Sequence, residues 1–136
     1  MKIGFTASTF DLLHAGHISM LAEAKSVCDY LIVGLHVDPS LERQEKNHPV
    51  QSLVERYIQL SAVSHVDEII PYQTEDDLND ILLTFPIAVR IIGEEYRDAN
   101  FTGKNLDMKI HYNKRRHGFS SSLLRKNVVK AESSKH

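Results

Sequence analysis

The sequence predicts a doubly wound α/β domain built on a five-stranded parallel sheet, and three observations predict it. Short apolar runs alternate with amphipathic stretches along the chain, the pattern of repeated strand-helix units. One run, Tyr30-Leu31-Ile32-Val33-Gly34-Leu35, is continuously apolar, as a strand covered on both faces must be. The 136 residues show no internal repeat and no second domain, and that length is enough to bury one core.

The elements follow in order. Residues 3–7 read as the first strand and residues 15–28 as an amphipathic helix with Ile18, Leu21, Ala22 and Val27 on its buried side. The central strand comes next. Residues 38–49 then turn polar between Pro39 and Pro49, which reads as a mobile loop. Residues 51–63 form the second helix, with Ser52 and Glu55 spaced as a capping box. Residues 66–71 are a short strand, and Thr74 with Asp77 repeats the capping pattern before a helix through Leu83. Residues 87–92 and 108–112 supply the last two strands. Ser120 caps a final short helix to Lys126, so the domain spans 1–130 and leaves a polar tail at 131–136.

Composition narrows the function classes. With 42% hydrophobic and 25% charged residues and a net charge of −2, nothing argues for bulk binding to nucleic acid or to a membrane surface. No apolar run approaches the ~20 residues of a membrane helix, and no signal peptide precedes the first strand. Cys28, the single cysteine, cannot form an intrachain disulfide, and we read it as packing. The expectation is a cytoplasmic protein.

The chemistry concentrates in two segments. Thr9-Phe10-Asp11-Leu12-Leu13-His14-Ala15-Gly16-His17 stands where the first strand hands over to the first helix. Ligands of α/β sheets bind at the carboxyl ends of strands, and a helix N-terminus attracts anions. Two imidazoles at that point suit a phosphate. A zinc site would want three or four ligands, and no further Cys/His cluster supplies them. The second segment is Lys114-Arg115-Arg116-His117-Gly118-Phe119-Ser120-Ser121-Ser122. Cations, a glycine and hydroxyls opening a helix make a phosphate cradle.

Together these segments resemble the signature of the HxGH nucleotidylyltransferases, whose domains are Rossmann-like, and most closely their cytidylyltransferase-like branch. That branch includes glycerol-3-phosphate, choline-phosphate and ethanolamine-phosphate cytidylyltransferases as well as heptose-phosphate adenylyltransferases. The resemblance runs from Lys2 to about Arg125 and is nearest to glycerol-3-phosphate cytidylyltransferase. Arg115, Gly118, Ser120, Ser121 and Ser122 align with the family's Arg-Thr-x-Gly-x-Ser-Thr-Thr/Ser segment, where Arg116 and His117 replace residues commonly Thr and acidic. Ser8 stands where the family usually has a glycine that lets the backbone approach the nucleotide.

The resemblance implies attack by an acceptor phosphate on the α-phosphorus of a nucleoside triphosphate, with release of pyrophosphate and without a covalent intermediate. His14 and His17 would donate to the α- and β-phosphate oxygens, helped by Thr9, the N–H groups near Phe10, and Gly16. Arg115, Ser120 and Ser121 would hold the β- and γ-phosphates. Lys46 would neutralise the acceptor phosphate, and Arg56, within Glu55-Arg56-Tyr57, would join it on that phosphate or take a structural role. Gly93 and Glu94 would read the base. Asp11 would brace the turn. Mg²⁺ is expected with the triphosphate and a homodimer is implied; no dedicated metal site is legible.

The base is read two ways. Glu55-Arg56-Tyr57 and Val66-Asp67-Glu68-Ile69-Ile70 resemble the cytidylyl branch, which makes a CTP-dependent phosphoalcohol cytidylyltransferase the first expectation. Ser64, where that branch commonly has Arg, and His48-Pro49-Val50 resemble the heptose branch, an adenylyltransferase acting on a sugar phosphate. A silent nucleotide-binding module is the alternative of another class.

Overall fold

The computed structural model describes residues 1–135. Five parallel strands, β1 (Ile3–Ser8), β2 (Tyr30–His36), β3 (Glu68–Tyr72), β4 (Val89–Gly93) and β5 (Lys109–Asn113), lie in the order β3-β2-β1-β4-β5. The helices are α1 (Ala15–Ser26), α2 (Leu53–Ser61), α3 (Glu75–Thr84) and α4 (Ser121–Ser133), with 3₁₀ turns at Pro39–Leu41 and Glu94–Tyr96. The doubly wound fold is as the sequence predicts.

Strand alternation explains how the core divides. Leu31, Val33 and Leu35 of β2 pack with Leu21 and Ala24 of α1 and Leu60 of α2 on one face. Ile32 and Phe5 face the other way, onto Leu78, Ile81 and Leu82 of α3. The chain therefore winds outward from β1 in both directions, and its switch point lies between β1 and β4, where Gly4 pairs Val89 and Phe5 pairs Arg90. Gly34 is fixed by packing: a Cβ there would lie 2.8 Å from Cζ of Phe5.

Caps set most helix starts. Thr74 accepts the N–H of Asp77, whose carboxylate accepts the N–H of Thr74, so the expected capping box is present. Ser52 accepts the N–H of Glu55, but the Glu55 side chain turns to Gln51 instead of closing the box. The strands after β2 start one or two residues later than expected, and α1 and α2 end earlier. The largest difference is α4, which runs to Ser133 rather than Lys126. Nothing between residues 126 and 133 is Gly or Pro, so nothing local stops the helix, and the expected tail is partly helical. The polar segment 38–49 opens on an ordered turn, where Asp38 accepts from Ser40 and pairs with His48 at 2.6 Å. Among the described residues, no helix is long and apolar enough to cross a membrane.

Candidate active site

The turn from β1 to α1 is strained and tightly braced. Phe10 and Leu12 have φ of 51° and 54°, a left-handed conformation that bulky residues adopt only when their surroundings impose it. The Phe10 ring is buried against His17, and the Leu12 N–H donates to Oε1 of Gln51 at 2.7 Å. The Asp11 carboxylate accepts from the N–H groups of Val50 (2.8 Å) and Gln51 (2.9 Å) and pairs with Arg125 at 2.5 Å. Burial alone would raise the Asp11 pKa; those two N–H groups and Arg125 outweigh it and hold the carboxyl below its usual range. Asp11 is thus the brace expected from sequence.

His14 is the N-cap of α1, and its Nδ1 accepts the N–H of Gly16 at 3.0 Å. His17 returns the arrangement, its Nδ1 accepting the N–H of His14 at 3.1 Å. The pair performs with imidazoles what Ser and Glu do in a capping box. Their ring centroids lie 4.0 Å apart. Burial, then the neighbouring His14, pushes the His17 pKa down to about 4, with Asp11 opposing. Burial, then His117 and Arg115, lowers that of His14. Both rings are therefore neutral near pH 7, with the proton on Nε2.

A cavity of about 320 Å³ opens over these rings. Of the residues expected to hold nucleotide, it gathers His14, Gly16, His17, Gly93, Arg115, Ser120 and Ser121 from the ends of β1 and β4 and the starts of α1 and α4. Ser120 uses its oxygen to cap α4, accepting the Leu123 N–H, and keeps its hydroxyl proton. Ser121 donates its hydroxyl to the carbonyl of Asp11, which ties α4 to the strained turn. The Phe10 side chain lies in the core, which leaves the backbone there for a ligand, as expected. One expectation changes. Glu94 accepts the Arg115 N–H at 3.4 Å outside the cavity, and Glu95 lines it instead. Successive residues of the 3₁₀ turn point about 120° apart, so a one-residue change reverses which acid faces the ligand.

A second cavity, of about 420 Å³, lies on the α3 side of the sheet. Lys46 and Thr9 line it, and Ser8 lines both cavities, so the two meet at the end of β1. Arg56 does not reach either. It is 2% exposed and donates to the carbonyls of Gln51, Thr9, His36 and Val37 at 2.6–3.2 Å. With those donors engaged, Arg56 clamps the ends of β1 and β2, and its expected contact with the acceptor phosphate is corrected on that ground. The cation missed from sequence is Arg90. It is 5% exposed, lines the second cavity, donates to the Thr102 carbonyl and forms no ion pair among the described residues. Glu75, the carboxylate lining the same cavity, is held by Arg43 and Thr102.

The family model described as cytidylyltransferase-like matches residues 5–127. The chain belongs to the cytidylyltransferase-like family, and so to the nucleotidyltransferases. It is 38% identical over 107 residues to the bifunctional protein HldE of Caulobacter sp. strain K31, covering 78% of this chain and 22% of that protein. The bifunctional protein HldE of Campylobacter jejuni strain RM1221 is 35% identical over 124 residues, 90% of this chain and 27% of that protein. The chain thus spans about a quarter of these relatives or less. Among solved structures, a lipopolysaccharide core biosynthesis protein from Thermoplasma volcanium superposes with a TM-score of 0.61 at 21% identity, over 97% of this chain and 89% of that one. A bifunctional NMN adenylyltransferase/ADP ribose pyrophosphatase from Francisella tularensis, complexed with AMP and Mn, gives 0.66 at 14% identity, over 93% and 41%. At these identities the structures establish the shared fold.

Proposed function

We propose that this family member transfers an adenylyl group from ATP to the phosphate of a sugar phosphate and releases pyrophosphate. The observation that carries the transfer is the pair of cavities meeting at Ser8, one over two imidazoles whose Nε2–H groups meet no acceptor among the described residues, the other lined by Lys46, Arg43 and Arg90. An oxygen of the acceptor phosphate, entering from the second cavity, attacks the α-phosphorus; its bond to the bridging oxygen breaks and the electron pair leaves with pyrophosphate. His14 and His17 donate to phosphate oxygens as charge builds there, which is where fixed donors accelerate a reaction most. Arg115 with Ser120 meets the outer phosphates, and Lys46 and Arg90 orient the acceptor.

The choice of base rests on likeness. Ser64 and His48-Pro49-Val50 match the heptose-type branch, and the 35–40% identity to HldE proteins supports that branch over the cytidylyl reading expected first. Glu55-Arg56-Tyr57 keeps the cytidylyl reading as the second candidate. Mg²⁺ would arrive with the triphosphate: the nucleotide cavity offers one carboxylate, Glu95, and the described residues contain no cluster of three metal-binding side chains.

Thermal unfolding with ATP or CTP, each with Mg²⁺, tests the base. A nucleotide at ~100 times its Kd stabilises the fold by about 2.7 kcal/mol. Selective stabilisation by ATP is expected. Selective stabilisation by CTP would move the assignment to the cytidylyl branch, and no shift with either would remove the nucleotide reading.

A further inference from the structure

The segment between β5 and α4 carries a third imidazole. His117 is half-buried, lines the nucleotide cavity and stacks on Phe119 with ring centroids 5.1 Å apart. Its position is commonly acidic in the family that this segment resembles, so the family pattern does not account for it. Its Nδ1 accepts the N–H of Phe119 at 3.1 Å. A neutral imidazole carries one proton, so an occupied Nδ1 lone pair leaves that proton on Nε2.

The same backbone device fixes His14, through Gly16, and His17, through His14. The three rings are thus locked in one tautomer by three separate N–H groups. Gly16 shows how close two of them stand. A Cβ on that residue would lie 2.8 Å from Cε1 of His14 and 2.9 Å from Cε1 of His117. Both ring edges therefore converge on one point above the start of α1. No Nε2 of the three is bonded to a protein acceptor among the described residues. With the His17 ring beside that of His14, centroids 4.0 Å apart, three neighbouring donors without acceptors fit a group rich in oxygens and poor in protons.

We infer that His117 is a third catalytic imidazole, donating from Nε2 to the pyrophosphate half of the nucleotide. Placement supports the leaving group over the acceptor. His117 and Arg115 line the nucleotide cavity and are absent from the acceptor cavity. In-line displacement puts the leaving oxygens on the side of the α-phosphorus opposite the attacking one. The added donor strengthens its contact as charge moves onto pyrophosphate. The inference rests on the phosphoryl-site reading above and is independent of which base or acceptor is used.

Inorganic pyrophosphate with Mg²⁺ is the probe, since it carries neither base nor acceptor. Calorimetry would compare wild type with His117→Phe, which keeps a ring over Phe119 but removes both nitrogens, and with His117→Gln, which restores an N–H donor. His117→Phe is expected to weaken pyrophosphate binding about ten- to hundred-fold, the scale of one hydrogen bond to a charged group, with partial recovery in His117→Gln. Long-range ¹H–¹⁵N spectra of the wild-type imidazoles supply a readout that needs no variant to fold. They should show His117 as the Nε2–H tautomer and move its signals as pyrophosphate is added. Pyrophosphate affinity in His117→Phe within about twofold of wild type, or His117 signals that ignore the ligand, would overturn the inference while leaving His14 and His17 in place. Wild type that binds neither pyrophosphate nor any nucleoside triphosphate would remove the phosphoryl site itself.

Discussion

Replacing Arg56 by Met separates a structural clamp from a substrate ligand. The substitution keeps most of the stem and removes donors to the carbonyls of Gln51, Thr9, His36 and Val37. Hydrogen bonds from a charged donor contribute about 1.5–3 kcal/mol each, but the buried guanidinium bears a desolvation cost and forms no ion pair among the described residues. The net loss is therefore well below the sum, about 3–5 kcal/mol, the scale of breaking a buried charged network. For a domain of this length that corresponds to a fall in Tm of about 10–20 °C. Urea and thermal unfolding measure it, and acceptor KM is determined below the variant's transition. If Arg56→Met unfolds within about 1 kcal/mol of wild type and loses only acceptor affinity, the clamp is refuted and Arg56 belongs with the substrate.

Three further outcomes are expected. Gly16→Ala should retain helical circular dichroism, since Ala favours helix, yet lose at least ~10²-fold in kcat because its Cβ meets the His14 and His117 rings at 2.8 and 2.9 Å; full turnover would contradict the packing of those rings. His17 has its folded pKa depressed from 6.5 to about 4, so the unfolded chain binds its proton first. Its contribution to stability is complete above pH about 6.5 and is lost as pH falls towards about 4, and urea midpoints should drop less steeply over that window in His17→Gln. Equal slopes would refute this. Thr74→Ala removes an N-cap remote from both histidines and should cost about 1 kcal/mol by urea unfolding without changing KM; a kinetic effect would show that α3 positions the acceptor cavity.

The sequence made the paired histidines legible because strand, turn and helix N-terminus are all local features. The basic turn and serines before α4 were legible for the same reason. What escaped depended on long-range packing. Arg56 falls between Leu53 and Leu60 on the buried stripe of α2, and that i, i+3, i+7 spacing is the signal that its guanidinium turns inward. Arg90 interrupts the apolar run of β4, where a charge buried on a central strand must have either a partner or a cavity. Neither signal says which carbonyls or which cavity. The exchange of Glu94 for Glu95 turns on the phase of one 3₁₀ turn, which composition does not encode.

The most direct test of the account is pyrophosphate release from ATP and from CTP against a panel of hexose and heptose 1-phosphates, in wild type and His17→Ala. Release should require ATP and a sugar phosphate together and fall at least ~10²-fold in His17→Ala. Release unchanged in that variant, or none from any pair of substrates, would contradict adenylyl transfer at the paired histidines.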